Sequence, residues 1–518
     1  MIAKTIEKYD NTFQRLFEVV PGFLIWLIIV SPFILGKALP FVMADLLTIL
    51  SIYWFYRASL NTIGTIIGYE RVRRASKVNW LQATLDLKGT PLPDPETLPK
   101  NQFLPKHLLV YPQVVPKYEV LKSTLDALVS QNYPLELIYV AISSEGRAVS
   151  KDPALYTQLE AKIKQEYSML GDRLMMFVHP DGLPGEVVGA GPNRRWGAKS
   201  AVELLESRGE NINDFLVTSP DEDVVFHKQF LAAATYQYLL SEKRERKFYQ
   251  TALYTFNNNY WDVPILIRVL ASSLTIPVLA SSVVEKHKRE TFSCYTLSLD
   301  VLRKVDYWDP AYGIDDTTFY WRPFFYFKGD WECEVFYVPL SADAIYDPNY
   351  VRNHREQYKQ YLRWGWGVIT FPIGMKGLLK ATDLPFFQRI SKIWHLFEVF
   401  IFWKVLAYLL TFSIPIILLL NPQLQELVIW YTLPNTISAI MGLAVIFLIP
   451  TTIYKALIAP GKPASWPWWR YYGTLLVEAP LNIVTLMTYS FLPFVEASTR
   501  MMFGQKSARV SWSNKVRK

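Results

Sequence analysis

The chain has 518 residues, with 54 Lys and Arg against 46 Asp and Glu, a formal net charge of +8. Hydrophobic residues make up 51% and charged ones 19%; soluble domains usually carry ~25% charged residues, so the deficit points to a membrane protein and excludes a disordered or collagen-like chain. Cys294 and Cys333 alone exclude a disulfide scaffold and a Cys-rich zinc module, the scattered His show no metal-ligand spacing, and the modest positive charge needs no nucleic-acid partner.

Residues 20–35 and 41–56 are apolar runs, each somewhat short of the ~20 residues of a spanning helix. With Pro40 in the turn they predict a transmembrane hairpin over residues 1–60. No small-residue cleavage site precedes the second run, so a cleaved signal peptide is not expected. Lys4, Lys8 and Arg15 before the pair, and Arg57, Arg71, Arg73, Arg74 and Lys77 after it, place both flanks in the cytoplasm. Residues 61–81 read as an interfacial helix or equally as a solvated one. Pro91, Pro93, Pro95 and Pro99 then make a stiff linker, so that residues 61–105 connect the hairpin to an α/β stretch.

From 106 to 363 the texture is that of a soluble α/β domain. Strands are expected at 107–111, 135–142, 174–178 and 214–218. Helices are expected at 118–130, where Val120, Leu121, Leu125 and Leu128 share a face, at 152–169 and at 199–207. The alternation predicts a largely parallel, doubly wound, Rossmann-like sheet, with ligands at the carboxyl ends of its strands. Residues 364–392 are aromatic and Gly-broken, which suits the membrane interface. Residues 399–420, 433–449 and 475–494 are spanning candidates within a membrane region at 393–504. Loop 421–426 lacks Lys and Arg and reads as outside; the loop with Lys455, Lys462 and Arg470 reads as inside. A further crossing by 475–494 would put the basic tail, 505–518, outside against the charge rule. Pro480 and Pro493 could instead break that segment into a hairpin, and both arrangements stay open.

Three features carry chemistry. Asp221-Glu222-Asp223 directly follows a strand. Alternate carboxylates there can face one point in the crevice and hold Mg2+ or Mn2+, although the triplet alone also reads as a capped surface turn. Asp315-Asp316 precedes the aromatic run Phe319-Tyr320-Trp321. The pair reads either as helix-dipole partners or, beside an apolar wall, as a general base with a raised pKa. Gln360-Tyr361-Leu362-Arg363-Trp364 joins a phosphate-pairing Arg to a flat indole face, or is an ordinary interfacial anchor.

In this order, just before apolar helices, the three features resemble the membrane-integrated family 2 glycosyltransferases, such as cellulose, chitin and hyaluronan synthases. The resemblance covers roughly 106–366 and the flanking spans. Tyr133-Pro134, Gly185-Glu186-Val187, the stretch from Asn193 to Lys199, and the closing residues Thr499, Arg500, Gly504 and Lys515 are also similar. It implies a GT-A fold flanked by transmembrane helices. Asp221 and Asp223 would hold the metal and donor diphosphate, and Asp316 would be the general base, supported by Asp315. Lys199, Gln360 and Arg363 would contact the donor diphosphate, and Trp364 the acceptor sugar. The chain departs from the family at Pro112-Gln113-Val114-Val115, where Asn-Glu is usual. It departs again at Ser143-Ser144-Glu145, where an Asp-rich turn usually binds the base and Glu145 would take that role. Asn258 and Trp261, in the run 257–262, could bind an acceptor sugar or simply cap a loop.

The expectation is therefore an inverting, metal-dependent processive synthase in a bacterial plasma membrane. Its catalytic domain would be cytoplasmic, its donor a nucleotide sugar (a UDP-sugar first), its acceptor a glycan or lipid, and its surroundings membrane lipids. Single transfer to a lipid, as in ceramide glucosyltransferase-like proteins, and a non-enzymatic scaffold with a decayed site are the alternatives.

Overall fold

The computed structural model describes residues 2–100, 102–114 and 117–505. The basic tail beyond Gln505, and Val115 of the first-strand loop, lie outside the described residues. The chain divides into two compact units. One is built from residues up to Tyr69, Val263–Val284 and the described chain from Asn349 to Gln505; the other from Glu70–Asp262 and Glu285–Pro348.

The first unit is helical. Asp10–Ala38 and Pro40–Ala75 are helices of 29 and 36 residues, longer than the apolar runs because polar turns continue the same ladder. Pro40 opens the second helix, where its missing N–H is no loss. Residues 61–75 continue that helix and do not start a separate one. Among the described residues, Asp10–Ala38, Pro40–Ala75, Ile265–Val284 and Phe386–Leu420 are long and apolar enough to cross a membrane. Val428–Ile458 is a helix containing the expected 433–449. The final segment bends by 44° between Trp468–Glu478 and Pro480–Met502, far from the reversal a hairpin needs.

Ile265–Val284 was not expected as an apolar helix of the membrane kind, because it lies inside the stretch read as one soluble domain. It packs by backbone approach: a Cβ on Gly64 would meet the Ala280 carbonyl oxygen at 2.6 Å. Its Arg268 donates to Glu478 Oε1 at 2.8 Å, and Lys455 Nζ lies 3.3 Å from Glu478 Oε2. Two cations thereby share one buried carboxylate.

The second unit is α/β. Its main sheet has seven strands: β1 Lys106–Gln113, β2 Ile138–Glu145, β3 Leu174–His179, β4 Phe215–Thr218, β5 Lys247–Thr251, β6 Thr296–Ser298 and β7 Glu332–Phe336. Their order is β3-β2-β1-β4-β6-β5-β7. β1 to β4 pair in parallel, and Leu108 to Tyr111 are fully buried, as continuous apolar runs in a sheet covered on both faces should be. The sheet is mixed, however, because β6 runs antiparallel to both β4 and β5. A second, three-stranded sheet joins Val225–Phe226, Leu340–Ser341 and Tyr254–Thr255. The helix expected at 199–207 begins at Ala190. Gly189, Gly191 and Pro192 look like breakers, but Pro192 falls in the first turn, whose N–H groups have no helical partner anyway.

Candidate functional site

Chain order reverses between β1 and β4: β2 and β3 continue on one side of β1, and β4 returns on the other. The crevice at the carboxyl ends there is where open α/β sheets bind ligands. Asp221 lies three residues beyond the end of β4. Because β6 is antiparallel to β4, with Thr218 opposite Thr296, the residues just before β6 project past the same end. The Ser219 amide accordingly donates to the Tyr295 carbonyl at 3.0 Å.

That pairing brings Ser293 between two of the expected acidic residues. Its backbone N–H donates to Asp316 Oδ2 at 3.0 Å, and its hydroxyl donates to Asp221 Oδ2 at 3.3 Å. The hydroxyl also lies 3.2 Å from the Tyr254 hydroxyl. Ser293 has φ +47°, a left-handed conformation uncommon for a side-chain-bearing residue, which strained functional sites often contain. Asp316 opens a short helix, with its Oδ1 accepting from the Thr317 amide at 2.8 Å. Burial pushes its carboxyl pKa up, the Ser293 N–H pulls it back, and the Asp221 charge raises it again. Burial likewise raises Tyr254 and Cys294, and Asp221 adds to both.

Arg194 completes the cluster. It is almost wholly buried, pairs through Nη1 with Asp315 Oδ2, and donates through Nη2 to Asp221 Oδ1 at 3.2 Å and the Pro220 carbonyl at 3.3 Å. The approach depends on Gly191. A Cβ there would sit 2.9 Å from both Asp315 Cβ and the Tyr312 carbonyl oxygen, so only glycine lets the 190–207 helix reach the acidic loop. Asn193 fastens the same helix to the sheet. Its amide donates to the Gln113 and Ser143 carbonyls at 2.8 and 2.9 Å, and its Oδ1 accepts from the Ser143 hydroxyl at 2.6 Å. Asn193 is thus committed to holding the ends of β1 and β2. Lys199 is half-buried in the third turn, not at a helix start.

Asp223 has other partners than Asp221. It is fully buried, its Oδ2 accepts from the Asp343 amide at 2.8 Å, and its carbonyl accepts from Asn258 Nδ2 at 3.1 Å. Asn258 Nδ2 also reaches Asp343 Oδ1 at 2.9 Å, so it ties the turn at Asp223 to the segment at Asp343. Trp261 is half-buried, its ring edge-on to Tyr260 at 4.9 Å. Among the described residues no group of three or more His, Cys, Asp or Glu is placed to hold a metal.

Glu145 ends β2 opposite His179 at the end of β3. It pairs with Arg147 and lines a small cleft together with His179, Asp181 and Glu186. His179 Nε2 meets Glu186 Oε2 at 2.8 Å, closing one wall.

Gln360, Arg363 and Trp364 belong to the helical unit, on the helix Tyr350–Gly365. Gln360 is buried, and Arg363 and Trp364 are half-buried. The Trp364 ring lies 4.8 Å from that of Tyr361, beside Leu270, Tyr489 and Phe494. Sequence reading missed Arg194 and Ser293. Arg194 sat inside the stretch from Asn193 to Lys199, but nothing marked it off from its neighbour Arg195. Ser293 carried no signal, since its position depends on the antiparallel β6.

No family model and no curated protein matches the chain. Among solved structures it is similar to the mannosyltransferase PcManGT from Pyrobaculum calidifontis, in complex with GDP-Man and Mn2+. Identity is 13% and the TM-score 0.36, over 85% of this chain and 99% of that one. It is also similar to S. aureus TarS 1–349 in complex with UDP-GlcNAc, at 13% identity and TM-score 0.34 over 78% and 93% of the two chains.

Proposed function

We propose that this chain is an inverting, metal-dependent glycosyltransferase of the membrane-integrated family 2 kind. Its α/β unit is of the GT-A type and faces the cytoplasm of a bacterial plasma membrane. The donor is a nucleotide sugar, a UDP-sugar before others, and the enzyme acts as a processive synthase. The observation that carries the reading is the Ser293 bridge, which ties Asp316 to Asp221 at the switch point of the sheet.

Asp316 is the general base. It takes the proton of the acceptor hydroxyl, whose oxygen bonds to the anomeric carbon as the bond to the diphosphate oxygen breaks with its electron pair. Attack from one side and departure from the other invert that carbon. A raised pKa suits a base working near neutral pH. Asp315 neutralises buried Arg194 and so fixes the loop that carries Asp316.

A divalent cation fits Asp221, a hard oxygen donor with a 43% exposed side chain, since Mg2+ is usually held by one or two carboxylates plus substrate phosphates. When bound it would stabilise the charge of the leaving diphosphate. Asp223 fits that role less well, because its carboxylate is buried and accepts from Asp343. Glu145 and its cleft suit the nucleotide base; the family resemblance assigns Lys199, Gln360 and Arg363 to the phosphates and Trp364 to the acceptor sugar.

The test is nucleotide release by the purified protein over UDP-, GDP- and other sugars with Mg2+ or Mn2+. Release that falls to background in Asp316→Asn and Asp221→Asn supports the reading. Release from none of the donors, or variants that match the wild type, would refute it and favour a scaffold.

A further inference from the structure

The left-handed backbone of Ser293, at φ +47°, is costly for a residue with a side chain, so its surroundings must impose it. The source lies on the next strand of the sheet. Gln250, on β5 and 2% exposed, donates through Nε2 to the Phe292 carbonyl at 2.5 Å and to the Cys294 carbonyl at 3.3 Å. One amide nitrogen thus holds the carbonyls on both sides of Ser293. In extended chain those two oxygens lie about 7 Å apart, farther than the two bonds together can reach. The backbone therefore contracts at Ser293, and it does so in the left-handed form.

Gln250 is itself oriented. Arg289 Nη2 donates to Gln250 Oε1 at 2.9 Å and to the Thr251 carbonyl at 3.3 Å. A guanidinium only donates, and the two carbonyls of the turn only accept, so the amide oxygen must face Arg289 and its nitrogen the turn. Leucine would fill the same buried position without the desolvation cost, so packing alone gives no reason for an amide there.

The turn that Gln250 clamps leads to both acidic residues of the site. Ser293 donates its N–H to Asp316 Oδ2 and its hydroxyl to Asp221 Oδ2, and the Thr291 hydroxyl donates to the Asp316 carbonyl. We propose that Gln250, held by Arg289, is a positioning residue that keeps Ser293 left-handed and thereby sets Asp316 against Asp221. Its effect on turnover rests on the glycosyl-transfer reading; its effect on the strained turn does not.

The test uses the full chain in detergent, with kcat and donor KM from nucleotide release and Tm from scanning fluorimetry. Gln250→Leu, and Gln250→Glu, whose carboxylate has the same shape but cannot donate to the carbonyls, lower kcat about a hundredfold. Donor KM moves less than about threefold, because the cleft at Glu145 is not touched. Glycine takes a positive φ without strain, so against Ser293→Gly as the reference chain the same Gln250 variants lower kcat only about threefold. In melting, Ser293→Gly is better tolerated with Gln250 in place, where it relieves strain, than in the Gln250→Leu chain, where the serine has already relaxed. Gln250→Glu serves throughout if the leucine variant does not fold. A wild-type kcat in the Gln250 variants, an equal kcat loss with glycine at the turn, or an equal effect of Ser293→Gly on Tm in both chains would overturn the clamp while leaving glycosyl transfer standing. Release from no nucleotide sugar would instead refute the glycosyl-transfer reading, and the melting comparison would still decide the clamp.

Discussion

Arg194→Met removes the guanidinium that joins Asp315 to Asp221 while keeping a long, apolar side chain in its place. Arg194 and Asp315 have side chains 1% and 7% exposed, so the variant strands a buried carboxylate. Breaking a buried pair in this way costs about 3–5 kcal/mol. The contact with Asp221 contributes ~1 kcal/mol at most, because that side chain is 43% exposed. A loss of roughly 4 kcal/mol lowers Tm by about 8–16 °C for a unit of this size. Scanning fluorimetry of the detergent-purified protein reads the shift. Adding Asp315→Asn to the same chain removes the stranded charge and recovers roughly half of the loss. Nucleotide release falls about a hundredfold in the single variant, since the loop bearing Asp316 loses its anchor. A single variant that melts with the wild type, or a double variant that melts no higher than the single, would refute the reasoning.

Other variants probe other links. Burial and the Asp221 charge hold the Asp316 carboxyl above the ordinary aspartate range. The acid limb of the pH–rate profile therefore lies above ~3.9, where an exposed aspartate would titrate. A carboxyl raised in the folded state contributes stability below its unfolded pKa, and that stability is lost as pH rises through the folded value. Asp316→Asn should therefore be inactive yet melt no lower than the wild type at pH 7; a clear drop in Tm would contradict this. His107 is fully buried, 2.8 Å from Thr235 Oγ1, with its pKa lowered to about 3 by burial. The unfolded chain takes up that proton first, so stability falls below pH ~6.5, by about 2 kcal/mol at pH 5. His107→Gln flattens this slope in acid denaturation curves, and an unchanged slope would exclude His107 as its source. Asn193→Leu loses three buried hydrogen bonds and should cost about 2–4 kcal/mol, against about 1 kcal/mol for Ser143→Ala. Paired denaturation midpoints compare them, and equal losses would speak against Asn193 as the fastening.

The parallel half of the sheet was legible because β1, β2 and β4 are continuous apolar runs ending at turn residues, a pattern that burial on both faces imposes. β6 was not, since Thr296–Ser298 is three residues long and takes its place only by pairing with β4 and β5. Asp221 and Asp316 could be picked out as carboxylates in suggestive surroundings, but what links them is the amide and hydroxyl of a serine with no motif around it. Asp221 and Asp223 looked like a matched pair because alternate residues of a strand share a face. The chain has left the strand by Asp221, so that rule no longer applies, and the structure gives each its own partners. The start of the 190–207 helix was hidden by Gly189, Gly191 and Pro192, residues that serve close approach and a first turn here.

The helix Ile265–Val284 has the length and apolarity of a membrane crossing. Yet β5 precedes it and β6 and β7 come after it, and all three are hydrogen-bonded into one sheet. A polypeptide that traversed the bilayer once between them would strand half of that sheet on the opposite face. A single crossing between those strands is therefore excluded. Hydropathy-based topology counts that include it would reverse the orientation of every later helix.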